Sequence, residues 1–260
     1  LATETQQLDV VDPSRPLVSN GITLSPSRSL PTEIVHPTNT GHTYPLVIFV
    51  HGYDTSPSTF QRFIAMLASE GFVVAAPSFP LEDPTRGNGL NRADLPNEAT
   101  DVSFVITSIL KSPFASQLTP HEIGVVGHSD GADVALEVGY QQGLADPRIV
   151  ADVASAPDPI SAPVTNGGPP LLLIHGSADP IVDPSSSAQV LNAVHAQAWS
   201  LTLEGADHTS AIWGPSQWTF SFDQAVNDFL HATLVARSTT TLENELSSLP
   251  YATVQYKAGP

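Results

Sequence analysis

The chain contains no cysteine. Disulfide staples, thiolate metal sites and a cysteine nucleophile are therefore excluded. Basic residues are scarce as well: nine Lys and Arg stand against 26 Asp and Glu, a formal net charge of −17. Such a surface repels phosphate backbones and anionic headgroups, so neither nucleic acid nor a membrane is expected as a partner. No apolar run approaches the roughly 18 residues that a spanning helix needs. Asp158, Asp179 and Asp183 all lie beside prolines and read as turn residues rather than a calcium site. Neither metal nor cofactor is expected. The first residue is Leu1 and the one methionine is Met66. The expectation is a secreted protein whose signal peptide has been removed.

What is present is enough for a core: 41% of 260 residues are hydrophobic. Strand-like and helix-like segments alternate. Leu46–Val50, Phe72–Ala76, Ile123–Val126, Ile149–Val153, Leu171–Ile174 and Trp199–Leu203 read as strands. Between them, Phe60, Phe63, Ile64 and Leu67 recur at helical spacing, as do Val102, Val105, Ile106 and Ile109. Another such set is Phe222, Val226, Phe229 and Leu230. This order predicts one α/β domain over residues 1–260, with a mostly parallel central sheet and helices on both faces. Residues 1–30 read as an extended, proline-rich segment. Ser78–Asn97 is a long loop, either a surface excursion or a wall of the site. The tail over residues 238–260 ends in a stretch, Tyr251 to Tyr256, that either adds an edge strand or stays loose.

The chemistry centres on Gly127-His128-Ser129-Asp130-Gly131, which follows the strand Ile123–Val126 and precedes a helix-like run. A serine in this strand–turn–helix setting has its hydroxyl pushed into the open. It is a weak nucleophile until a histidine takes its proton, and that histidine needs an acid to fix its tautomer. The order Ser, acid, His, each just past a strand end, is met by Ser129, Asp179 and His208. Asp183 is the rival acid. Two backbone N–H groups must hold the oxyanion. One belongs to Asp130, after the nucleophile, and the other to Tyr53 in the loop after Val50. His51, His128 and His175 flank glycines or the serine at strand ends and are expected to shape the backbone of the site.

These residues resemble the α/β-hydrolase superfamily. More narrowly, the chain resembles bacterial cutinase-like polyester hydrolases and the related chlorophyllase and platelet-activating-factor acetylhydrolase-like esterases. The resemblance also rests on Asp12-Pro13-Ser14-Arg15-Pro16, Ser29-Leu30-Pro31-Thr32-Glu33, Tyr44 to Tyr53 and Leu67 to Pro77. It implies an α/β-hydrolase fold and a serine carboxylic-ester hydrolase. The substrates so implied run from short-chain and lipase-type esters to polyesters such as poly(ethylene terephthalate). It further implies that Tyr53 lies beside the scissile ester. The tryptophan that the polyester hydrolases carry after the next strand is replaced here by Ala154-Ser155-Ala156-Pro157-Asp158-Pro159. Trp213 or Trp218 would have to supply a second ring, and His128 is a further candidate for lining the groove.

The interval from Ala156 to Pro170 is too short for a cap domain, so an open, lidless groove is expected. Two other readings stay open. One keeps the triad but cleaves peptides, ethers or lactones. The other is a hydrolase-like fold used as a binding module.

Overall fold

The computed structural model describes residues 1–39 and 41–259. Eleven strands lie within them: β1 (Thr3–Asp12), β2 (Leu17–Ser19), β3 (Ile22–Ser25), β4 (Arg28–Pro37), β5 (Tyr44–Val50), β6 (Val73–Pro77), β7 (Leu118–His128), β8 (Ile149–Ser155), β9 (Leu171–Gly176), β10 (Ala198–Leu203) and β11 (Ala252–Lys257). The helices are α1 (Gln61–Ser69), α2 (Leu95–Leu110), α3 (Asp130–Tyr140), α4 (Ser185–Ala193), α5 (Ser210–Trp213), α6 (Thr219–Leu230) and α7 (Leu242–Ser247).

Nine strands form one sheet in the order β1-β4-β6-β5-β7-β8-β9-β10-β11, and β2 and β3 form a small hairpin. From β6 to β10 all neighbours run parallel. Antiparallel pairs complete both sides, β4 with β6 and β1 on one and β10 with β11 on the other. The parallel strands are apolar almost without interruption because helices cover both faces. Alternation within β5 shows the division. Val47 and Phe49 pack with α1, α6 and α7 through Phe63, Phe222, Phe229 and Leu246. Leu46, Ile48 and Val50 pack with α2 and α3 through Val102, Val105, Ile106, Val134 and Val138. α4 adds Val190 over Leu171 and Leu173. This is the α/β-hydrolase fold expected from the sequence.

Two regions differ from expectation. The first thirty residues are not merely an extended segment. β1 pairs with β4 over ten residues, Thr3 opposite Pro37 through Asp12 opposite Arg28. The strand is hard to read in Thr-Glu-Thr-Gln-Gln because an outermost strand has one partner and keeps polar side chains in water. The loop after β6 is also shorter than expected, since α2 begins at Leu95 with Pro96 in its first turn. Near the C-terminus, the stretch from Tyr251 to Tyr256 takes the edge-strand option as β11.

The N-terminal strands are fastened by buried charge. Arg28, 1% exposed, donates through Nη2 to Asp94 at 2.7 Å and to Asp101 at 2.5 Å. Arg15 joins the same Asp101 and bonds Asp12 at 2.7 Å. Removing one partner strands the others out of water. Arg28→Met is therefore expected to cost about 3–5 kcal/mol of unfolding free energy, measured by urea denaturation. A loss within the ~0–1 kcal/mol of a surface pair would contradict this.

Candidate active site

The C-terminal ends of β5, β7, β9 and β10 deliver their loops to one place. Ser129 stands between β7 and α3 with φ 58° and ψ −127°, a conformation strained for any residue with a Cβ. Its neighbours make the turn sterically feasible. A Cβ on Gly127 would fall into the Gly131 carbonyl, and one on Gly131 into the carbonyls of Val50 and His51. The loop after β5 presses on the same turn. A Cβ on Gly52 would lie 2.9 Å from the His128 carbonyl oxygen and 3.5 Å from the Asp130 amide nitrogen. Gly52 thus lets the loop that carries Tyr53 approach the Asp130 amide closely. Among the described residues, neither amide donates to a protein acceptor.

Three expected residues form a hydrogen-bonded line. Asp179 Oδ2 accepts from His208 Nδ1–H at 2.7 Å. That leaves Nε2 as the acceptor for the Ser129 hydroxyl, at 3.0 Å. Asp179 Oδ1 accepts from the amides of Ile181 and Val182 at 2.8 and 3.0 Å. Burial raises the Asp179 pKa, but the bonds from His208, Ile181 and Val182 outweigh it and hold the carboxyl below its ordinary value. The rival Asp183 makes no bond to His208. It accepts from the Ser185 amide at 2.9 Å and caps the start of α4.

The remaining histidines at strand ends act as struts. His51 donates through Nδ1 to the Gly52 carbonyl at 3.1 Å and accepts at Nε2 from the Phe79 amide at 3.2 Å. Burial pushes it down to about 4, which keeps that acceptor bare. His175 accepts at Nδ1 from Ser187 and donates at Nε2 to the Val182 carbonyl, tying the Asp179 turn to α4. His128 was a candidate for lining the groove, but its ring is 3% exposed. Its Nε2–H donates to the His208 carbonyl at 2.8 Å. Burial, and then the neighbouring His208, push it down to about 4. It therefore braces the backbone of His208.

Around this line, three large apolar side chains reach solvent: Tyr53 at 43%, Trp213 at 42% and Ile181 at 71% exposure. Trp213 meets Phe60 edge-on at 6.4 Å, and Phe60 in turn packs on His128 at 5.7 Å. Trp218 is different. Its Nε1–H donates to the Glu204 carbonyl at 2.8 Å, and its ring packs on the core. Of the two tryptophans, Trp213 alone presents an aromatic surface close to His208. Residues 156–170 form a short connection with no helix or named strand, and so no cap.

The excursion after β6 is held close to the site. Residues 78–83 are buried, and Arg92 reaches three carboxylates beyond the excursion, Asp130, Asp133 and Asp158. Sequence reasoning missed this arginine, because nothing local to it points to partners 38 and 66 residues away.

The sequence matches the family model described as Chlorophyllase over residues 4–178. The chain belongs to the chlorophyllase family. The family match includes Ser129 and stops before Asp179 and His208, whose place rests on the geometry above. Two similar curated proteins are chloroplastic chlorophyllase-1 of Citrus unshiu and of Citrus sinensis. Each is 27% identical over 124 residues, covering 46% of this chain and 36% of the plant protein. The alignment thus spans about a third of their length. Among solved structures, ferulic acid esterase from Streptomyces cinnamoneus superposes with a TM-score of 0.79 over 98% of this chain and 96% of that one. At 18% identity the likeness concerns the fold.

One acid beside the site has an unusual state. Glu82 is fully buried with neither carboxyl oxygen hydrogen-bonded. Burial, and then the charge of Asp130, raise it from 4.5 to about 8. Between those values the folded chain holds a proton that the unfolded chain has released, so stability falls as pH rises through this window. Glu82→Gln, which mimics the protonated form, is expected to make the decline in Tm from pH 5 to pH 8 shallower (values within that window). An unchanged decline in thermal scans would rule the buried proton out.

Proposed function

We propose that this chain is a serine carboxylic-ester hydrolase. The observation that carries the reading is the line from Ser129 through His208 to Asp179, ending beside the unbonded amides of Tyr53 and Asp130. Ser129 Oγ attacks the ester carbonyl carbon while its proton passes to His208 Nε2. The carbonyl oxygen becomes an anion and accepts from the two amides. His208 returns the proton to the leaving alcohol as the tetrahedral intermediate collapses to an acyl-serine. Water, deprotonated by His208, attacks that acyl group, and the acid leaves. Asp179 holds Nδ1–H throughout and stabilises the charged ring. Each amide contributes roughly 2.7–4 kcal/mol to transition-state stabilisation.

The site lies in an open groove, because the short connection over residues 156–170 adds no cap. Tyr53, Trp213 and Ile181 give it apolar, partly aromatic flanks that suit a bulky acyl or alcohol group. These features support a cutinase-like action on large esters, polyesters such as poly(ethylene terephthalate) included. Membership of the chlorophyllase family supports a second reading, a chlorophyllase-type ester, and the fold shared with ferulic acid esterase adds feruloyl esters to the substrates worth testing.

Ser129→Ala is expected to abolish turnover of p-nitrophenyl butyrate and labelling by a fluorophosphonate; wild-type rates in that variant would end the proposal. Asp179→Asn is expected to lower kcat about ten-thousand-fold, whereas Asp183→Asn leaves it within about twofold. Equal losses in the two would reopen the choice of acid. Rates on p-nitrophenyl esters of rising chain length, a soluble aromatic diester, a feruloyl ester and chlorophyll then rank the substrate classes. Preference for short acyl chains with no turnover of the diester would remove the polyester reading.

A further inference from the structure

Asp130 sets a problem for the reaction. Its amide is one of the two donors to the oxyanion, yet its side chain is a carboxylate with only 7% of its surface exposed. A negative charge one residue away raises the energy of a developing anion, and a carboxylate so withdrawn from water is screened weakly. The first turn of α3 stabilises the acid, but this favours folding and does nothing for the reaction.

Arg92 meets this charge. Its Nε–H donates to Asp130 Oδ2 at 2.7 Å. Its Nη2 donates to Asp158 Oδ2 at 2.6 Å and reaches Asp133 Oδ2 at 3.4 Å. One guanidinium thereby joins the excursion after β6, the first turn of α3 and the loop after β8. The backbone that delivers it is fixed. The Asn91 amide donates to the Leu81 carbonyl at 2.9 Å, and the Asn91 side chain accepts from the Ala93 amide at 3.2 Å and donates to Ser19 Oγ at 3.1 Å.

We propose that Arg92 is a positioning residue for ester hydrolysis, one that neutralises the Asp130 carboxylate and keeps it turned from the oxyanion. The inference rests on the serine-hydrolase reading. Two further observations favour a role through charge. Of the acids near Asp130, Glu82 is raised to about 8 and Asp133 to about 7, by burial above all, and Asp158 takes its own bond from Arg92 Nη2, so the carboxylate that Arg92 meets through Nε is the one adjoining the oxyanion donor. Arg92 is also half exposed, on the rim of a cavity of about 230 Å³ that Leu95, Leu136 and Ile160 help to line. A shorter neutral side chain fits there without disturbing the core.

The test is a double-mutant cycle on p-nitrophenyl butyrate with wild type, Arg92→Gln, Asp130→Asn and the double variant, thermal midpoints being measured alongside. Arg92→Gln is expected to lower kcat about tenfold or more with KM within about twofold. In the Asp130→Asn background the same change is expected to lower kcat less than about twofold, because the charge to be cancelled is gone. Arg92→Lys, which keeps the charge without the fork, is expected to recover most of kcat; if Arg92→Gln folds poorly, Arg92→Met, which also removes the charge, takes its place in the cycle. An equal loss in both backgrounds, a rise in KM at constant kcat, or no loss at all would each overturn the inference and leave the hydrolase reading intact. A wild type that turns over no ester would overturn both.

Discussion

The site depends on how closely β5 and the first turn of α3 approach one another. Gly131 has no Cβ, so the carbonyls of Val50 and His51 can rest against its backbone. That contact brings the loop after β5 onto the Ser129 turn, close to the Asp130 amide, and leaves Ser129 at a positive φ that it would not adopt alone. The strain is sustained by the packing beneath, in which Val50 of β5, Val125 of β7 and Val134 of α3 share one core. His51 and His128 extend the same contact outward. One secures the Gly52 carbonyl and the other the His208 carbonyl. A few ångströms of missing side chain thus bring Ser129, His208 and the loop of Tyr53 together.

What the sequence disclosed follows from how local each signal is. Parallel strands such as Leu46–Val50 and Leu171–Ile174 are apolar runs because both faces are covered. Ser129, Asp179 and His208 are readable because each sits a few residues past such a run. The Gly-x-Ser-x-Gly pattern encodes a turn whose requirements are all within five residues. The antiparallel additions were less legible. β1 gains its regularity from β4 across the intervening hairpin, and its own residues alternate too weakly to announce a strand. The choice between Trp213 and Trp218, and between Asp179 and Asp183, depends on where loops end in space. Arg92 is the clearest case of a cross-link without a sequence signature, since its three carboxylate partners are supplied by other elements.

The acidic balance looks different once burial is considered. The few arginines are not spread over the surface to offset it. Arg15, Arg28, Arg62, Arg92, Arg148 and Arg237 all pair with carboxylates of the same chain. Glu98 and Asp152, fully buried and without hydrogen-bond partners, are held well above the ordinary carboxyl range by burial, Glu98 also by neighbouring acids. The formal charge therefore overstates the charge that the fold bears at neutral pH. Arg28 pairs with carboxylates that are themselves buried, and Arg92 ties three acids of separate elements together.

The two outermost strands have a consequence apart from catalysis. A parallel sheet built from Val, Leu and Ile would, if it ended at β6 and β10, offer bare apolar edges to any neighbouring chain. β4 covers β6 and is itself covered by β1, and β11 covers β10, so the sheet ends in strands rich in Thr, Glu, Gln and Lys, most of whose side chains face water. Polar and charged side chains of this kind discourage edge-to-edge pairing between molecules. The antiparallel margins thus place polar side chains where the apolar parallel sheet would otherwise end.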